Sequence, residues 1–199
     1  REVELFETPQ TVIRDLFLYL DDDGIHVEST IDGTAAQAHL AIPGLGLTTS
    51  LDVQNGRAQT VLQADPDLWS PENPVLYDVT FSAGGDSVSD RVGFRRIERK
   101  GTSILLNGQP VFLRGISVHE DDEQQGKLTS EEDIRRRFAH ARELGCNFLR
   151  LAHYPHHEMA ARIADEMGLM LWEEIPVYWA IDFTNPATRQ DAENQLCEL

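Results

Sequence analysis

Gly145-Cys146-Asn147-Phe148-Leu149-Arg150-Leu151-Ala152-His153-Tyr154-Pro155 is the stretch on which the fold turns. Its middle, residues 147–151, is an apolar run of strand length, too short for a helix of three turns. Before it, residues 130–144 carry apolar positions at helical spacing, with Thr129 and Glu132 placed as a capping box and Gly145 as the stop. After it, a second helical pattern covers 157–167 and ends at Gly168. A strand set between two helices is the repeat of a parallel α/β sheet, whose crossovers let neighbouring strands run the same way.

Working outward, a strand is expected at 112–118, a third at 169–175 and a last helix at 186–199. Asn107-Gly108 between 104–106 and 111–113 is a hairpin signal. Upstream of residue 98 the period changes from helical to two. Strands are expected at 12–20, 25–31, 36–42, 47–53, 58–62, 75–82 and 87–98, punctuated by Asp23-Gly24, Asp32-Gly33, Asn55-Gly56 and Gly84-Gly85. About seven strands in under a hundred residues, with no cysteine pair among them, indicate an immunoglobulin-like β-sandwich without the disulfide. Three βα units alone leave a bare sheet edge, whereas eight close into a barrel of about 250 residues. The chain is therefore expected to be a segment of a larger protein, its incomplete sheet prone to association. The lack of an initiating Met and of a signal-peptide pattern at Arg1 suits residues upstream having been removed or left out.

Composition narrows the function. With 34 acidic and 17 basic residues the formal net charge is -17, so the chain lacks the basic face that nucleic acid or an anionic membrane requires. No run approaches the roughly 20 apolar residues of a membrane-spanning helix. Hydrophobic residues at 41% and charged residues at 26% suit a globular protein rather than a disordered one. Cys146 and Cys197 read as ordinary buried thiols. Neither a phosphate-binding glycine loop nor a Gly-x-Ser-x-Gly elbow occurs, which removes support for nucleotide binding and serine hydrolysis.

In a βα barrel, chemistry gathers where strands end. The first strand here is followed by His119, Glu120, Asp121, Asp122 and Glu123; the second carries Arg150 and leads to His153, Tyr154, His156 and His157; the third leads through Glu173 and Glu174 to Tyr178 and Trp179. Rings and charged groups converging on one rim suit a sugar. Plainer readings apply to several of them. The 120–123 run reads as a solvated loop, His156 and His157 as exposed helix-start residues, and Trp69 as a plug of the sandwich core. Asp21-Asp22-Asp23-Gly24 reads as a turn, because the later ligands of a calcium loop are missing. A metal reading of His119, His153 and His156 lacks any compact zinc spacing. Glu173 and Glu174 cannot act on one sugar together, since adjacent strand residues face opposite sides.

Five motifs, in order, resemble the family 2 glycoside hydrolases: Leu68-Trp69-Ser70-Pro71-Glu72-Asn73-Pro74-Val75-Leu76-Tyr77; Val92-Gly93-Phe94-Arg95; Leu106-Asn107-Gly108-Gln109-Pro110-Val111-Phe112-Leu113-Arg114-Gly115 with His119-Glu120; the 145–155 stretch; and Ala164-Asp165-Glu166-Met167-Gly168-Leu169 with Glu174-Ile175-Pro176. This is the family of β-galactosidases, β-glucuronidases and β-mannosidases. The resemblance covers nearly the whole chain from about Asp15. It implies an immunoglobulin-like sandwich at 1–97 followed, at 98–199, by the first three βα units of a (β/α)8 TIM barrel. The family's preceding jelly-roll domain is absent from this sequence.

By the same resemblance the activity is retaining hydrolysis of terminal β-glycosides by two glutamates, the acid/base standing in an Asn-Glu pair at the fourth barrel strand. Every asparagine here is followed by Gly, Pro, Phe or Gln. Neither catalytic glutamate is then in the chain, and the 199 residues alone are expected to be inactive. His119 resembles a histidine that contacts sugar hydroxyls, and His153 the histidine of the His-Tyr-Pro motif that holds the reacting ring. Arg150 resembles an arginine that orients active-site carboxylates, and Glu174 a third-strand glutamate that braces these groups. Ser117-Val118 depart from the Asn-Arg of many members. With Arg150 as the only firm cation in these loops, a β-galactoside is favoured over a β-glucuronide. The partner implied is a β-linked sugar, with no cofactor or metal in this segment and a homo-oligomer for the full-length protein. The reading from another class is a carbohydrate-binding scaffold without catalysis.

Overall fold

A computed structural model describes residue 5 and residues 7–122, 126–127 and 130–199. The chain divides into two compact units between Val111 and Phe112.

The first unit opens with β1 (Val12–Ile13), β2 (Phe17–Asp21) and β3 (Gly24–Asp32), followed by β4 (Gln37–Ile42), β5 (Leu47–Asp52) and β6 (Arg57–Leu62). The strand expected at 12–20 is two pieces. Val12 pairs with Asp32 but Phe17 pairs with Glu28, a one-residue change of register against β3. That shift is a bulge. Asp15 fills it, its Oδ1 accepting from Thr30 N at 2.7 Å and its carbonyl from Ser29 Oγ at 2.7 Å. β6 pairs along the other side of β3. The second sheet has the order β5-β4-β7-β8, with β7 at Tyr77–Ala83 and β8 at Asp86–Val92. Alternate residues Ile25, Val27 and Ile31 of β3 and Ala38, Leu40 and Ile42 of β4 meet Val79, Phe81 and Ala83 of β7 in one buried core. Period-two sequence thus becomes a two-sheet sandwich.

The run expected at 87–98 also breaks, because β9 (Ile97–Lys100) leaves the sandwich to join β10 (Ser103–Leu106) and β11 (Gln109–Pro110) in a separate small sheet. Asn107 and Gly108, at φ 53° and 75°, make the tight turn between β10 and β11, a left-handed pair that Asn-Gly adopts at low cost. Asn107 also ties this hairpin to the rest of the first unit, donating Nδ2 to Trp69 O at 3.0 Å and accepting from Arg96 N at 3.0 Å. Trp69 is fully buried, but it packs on Gly93 beneath the Arg95 guanidinium, 4.5 Å from its ring, and not in the intersheet core.

The second unit is a parallel sheet of β12 (Gly115–Val118), β13 (Phe148–Leu151) and β14 (Met170–Glu173), in that order. Helices α1 (Glu131–Glu143) and α2 (Met159–Met167) lie against one face. Ile134, Phe138 and Ala141 of α1 and Ala160, Ile163 and Ala164 of α2 bury Leu149 and Leu151 of β13. The capping box is one residue later than expected: Ser130 Oγ accepts from Asp133 N, and the Asp133 side chain accepts from Ser130 N. Thr129 and Glu123 lie outside the described residues. Helix α2 begins two residues later than expected, and His157 N, ahead of it, donates to Glu120 Oε1. Helix α3 (Pro186–Glu198) buries none of its residues, so Cys197 is exposed, contrary to expectation, while Cys146 is buried. No helix among the described residues is long and apolar enough to cross a membrane.

Candidate functional site

Register decides which side chains meet. Leu149 and Leu151 of β13 point into the helix-side core, so Phe148 and Arg150 take the opposite face. Arg150 pairs with Trp172 of β14, and Glu174, two residues on, returns to the same side. There Glu174 Oε1 accepts from Arg150 Nε at 2.5 Å and its Oε2 lies 3.0 Å from His153 Nδ1. The Arg150 hydrogen bond, ahead of the one from His153, holds the Glu174 carboxyl below its ordinary range against the opposing effect of burial. Arg150 Nη2, a donor only, is 3.3 Å from His153 Nδ1, farther than the carboxylate oxygen at 3.0 Å, which can only accept; the shorter contact to the charged group puts a proton on Nδ1. His153 then carries its proton on Nδ1 when neutral and turns a bare Nε2 outward.

Glu173 takes the other face, where burial and then the charge of Asp165 push its carboxyl up. The two neighbouring glutamates are thereby set apart.

His119, just past β12, brings its ring edge-on to His153, with centroids 5.5 Å apart. Tyr178 approaches His153 from the loop after β14, at 5.8 Å. The four residues singled out from sequence, His119, Arg150, His153 and Glu174, therefore stand together. Trp179 follows at φ 64°, a left-handed conformation uncommon for a bulky residue, with its side chain in solvent. Trp172, which the sequence reading does not single out, is 59% exposed on the Arg150 face.

Other expectations are corrected. Glu120 is 4% exposed and accepts from His157 N, so it is a buried strut rather than part of a solvated loop; Asp121 pairs with Lys127 at 3.0 Å. His156 and His157 are half-buried: His156 Nε2 meets Ala152 O at 3.0 Å, and His157 Nδ1 accepts from Met159 N at 3.1 Å. Arg150 is not the only cation here, since Lys127 lies 2.8 Å from the Tyr154 hydroxyl and over its ring at 4.3 Å. No spacing rule could have found Lys127, which sits in a loop without periodic pattern. Among the described residues no three His, Cys, Asp or Glu side chains are grouped to hold a metal ion.

Comparison with known proteins places these elements in context. The family described as glycosyl hydrolases family 2 matches residues 13–95, and its TIM barrel domain matches residues 97–193. A β-galactosidase of Arthrobacter sp. (strain B7) is 33% identical over 171 residues, 84% of this chain and 17% of that protein. A β-galactosidase of Photobacterium profundum is 29% identical over 202 residues, 87% of this chain and 20% of that protein. The chain thus spans about a fifth or less of the length of these curated relatives. Among solved structures, a β-galacturonidase of Eisenbergiella tayi bound to galacturonate superposes with TM-score 0.79 at 26% identity, over 94% of this chain and 38% of that one.

Proposed function

The chain belongs to glycosyl hydrolase family 2, and from that premise we propose that the protein hydrolyses terminal β-glycosidic bonds with retention, taking a β-galactoside as substrate. In this reading residues 1–97 are the sandwich domain, 98–199 are the first three βα units of a (β/α)8 barrel, and the full-length protein is a homo-oligomer.

The observation that carries the reading is the grip of Glu174 on Arg150 and His153 at the strand ends. It holds two groups that would otherwise swing, so that His153 and the neighbouring His119 meet sugar hydroxyls in a set geometry. Such hydrogen bonds tighten as the oxocarbenium-like transition state develops and lower the barrier by several kcal/mol. The retaining reaction needs two carboxyl groups about 5–5.5 Å apart across the scissile bond. Glu173 and Glu174, on opposite faces, do not form that pair, and the sequence holds no Asn-Glu dipeptide. Both catalytic glutamates are therefore assigned to parts of the protein other than these residues.

A neutral sugar is favoured because the two cations of the described rim are already matched: Arg150 with Glu174, Lys127 with Asp121 and the Tyr154 hydroxyl. A β-glucuronide is the second reading. It draws on a 26% identical likeness to Bacteroides uniformis β-glucuronidase 3, at TM-score 0.73, and needs a carboxylate-reading cation from outside the described rim.

The test is hydrolysis of nitrophenyl β-galactoside and nitrophenyl β-glucuronide by the intact protein that carries this chain, with the 199 residues alone as control. Turnover of the galactoside by the intact protein and by nothing shorter is expected. Preference for the glucuronide would select the second reading, and turnover of neither would leave the binding scaffold.

A further inference from the structure

The rim around Tyr154 holds a proton arrangement that the reading above does not use. Among the described residues the Tyr154 hydroxyl has three polar neighbours: Lys127 Nζ at 2.8 Å, Glu120 N at 3.2 Å and His119 Nδ1 at 3.4 Å. An ammonium and a backbone N–H are donors without a lone pair, so the phenolic oxygen can only accept from both. Its own hydrogen then has a single acceptor among these neighbours, His119 Nδ1. The other ring nitrogen of His119 has no hydrogen-bond partner among the described residues, and the same holds for Nε2 of His153. Each histidine thus has one nitrogen committed to the protein and one left for a ligand. The committed partners differ in kind, a hydroxyl that donates and a carboxylate that accepts.

We propose that Tyr154 is a positioning residue that holds His119 as the Nε2-protonated tautomer, so that His119 and His153 form a complementary pair, one presenting an N–H donor and the other a bare acceptor nitrogen to the sugar. A hydroxyl is donor and acceptor at once; a vicinal pair on the ring can give its hydrogen to His153 and receive one from His119. A methyl ether or a halogen at the same carbon satisfies at most one of the two. The pair therefore selects free hydroxyls, whichever glycone the rest of the site demands. What the pair binds rests on the glycosidase reading; the tautomers do not.

The nitrogen NMR spectrum of the intact protein, labelled with 15N at histidine and assigned with His119→Gln and His153→Gln, reads the tautomers directly. In the neutral form of each ring, His119 is expected with Nε2 protonated and Nδ1 bare, and His153 with the reverse. His119 found with its proton on Nδ1 would overturn the assignment. Tyr154→Phe keeps the ring but removes the hydroxyl. It is expected to mix the His119 tautomers, leave the His153 signals in place, and lower kcat/KM about fivefold to tenfold, the scale of one hydrogen bond. On the His119→Gln background the same substitution should cost nothing further; an additive loss would mean that Tyr154 acts elsewhere. Should Tyr154→Phe not fold, Lys127→Met removes one donor and is expected to loosen the same tautomer preference; unchanged His119 signals would count against the proposal. Because the spectrum needs no substrate, failure to hydrolyse any β-glycoside would sink the glycosidase reading alone.

Discussion

Glu174 and Arg150 are joined at 2.5 Å across the ends of adjacent parallel strands, with the carboxylate side chain only 13% exposed and the guanidinium 43% exposed. The pair is the fixed point of the rim, since the second carboxylate oxygen takes His153. Glu174→Gln keeps the shape but loses the charge. It is expected to lower kcat/KM of the intact protein at least about tenfold, the scale of a hydrogen bond to a charged group, with little change in circular dichroism.

The same pair predicts a pH dependence. Glu174 is held below its ordinary carboxyl range, first by Arg150, so the stabilisation it gives is fully present above about pH 4.3, the unperturbed value, and is lost as pH falls through the lowered one. Urea unfolding of wild type and Glu174→Gln across the acid range should show the variant with the shallower loss of stability. Parallel curves would mean that the ion pair contributes nothing to folding.

Asn147 links the approach to β12 with β13. It is 4% exposed, with Oδ1 accepting from Arg114 N at 2.8 Å and Nδ2 donating to Phe112 O at 3.1 Å. Asn147→Leu fits the volume and strands both backbone groups. A destabilisation of about 1–2 kcal/mol in denaturant unfolding is expected, from two part-buried backbone groups left without their partners.

Gly115 begins β12, the strand that leads to His119. A Cβ there would sit 2.5 Å from both the Phe148 ring and its carbonyl oxygen. Gly115→Ala is expected to cost about 1–3 kcal/mol as overpacking and to lower activity by displacing His119. A thermal melt together with an activity assay reads both.

At the start of α1, Asp133 has its carboxyl lowered to about 2, chiefly by the Ser130 hydroxyl. Ser130→Ala removes the cap and is expected to cost about 1 kcal/mol of stability. Proton titration followed by NMR should find the Asp133 carboxyl moved up towards its ordinary value.

Much of this molecule is legible in sequence because periodicity is a local signal. Alternation along 24–32 and 37–42 places Ile25, Val27, Leu40 and Ile42 inward, and Asn107-Gly108 specifies its own turn. The bulge at Asp15 escaped that logic: it shifts the inward phase by one residue between Ile13 and Leu18, and the run 16–20, apolar on both faces, hides the shift. The capping box escaped it too: Thr129-Glu132 matches the Ser/Thr-x-x-Glu/Gln pattern and the pair that forms, Ser130-Asp133, does not, so only the helix start selects it.

What the sequence alone determined is the family, the order of elements, and the strand ends at which His119, Arg150, His153 and Glu174 stand. What only the tertiary structure decided is which polar atoms answer one another. Glu120 is drawn under the chain by His157 N, 37 residues on, and Lys127 meets Tyr154 27 residues away. A repeat of two or 3.6 residues says which face a side chain takes. It carries no information about the partner that folding brings to that face, and at this rim the partner sets the charge and the position of the proton.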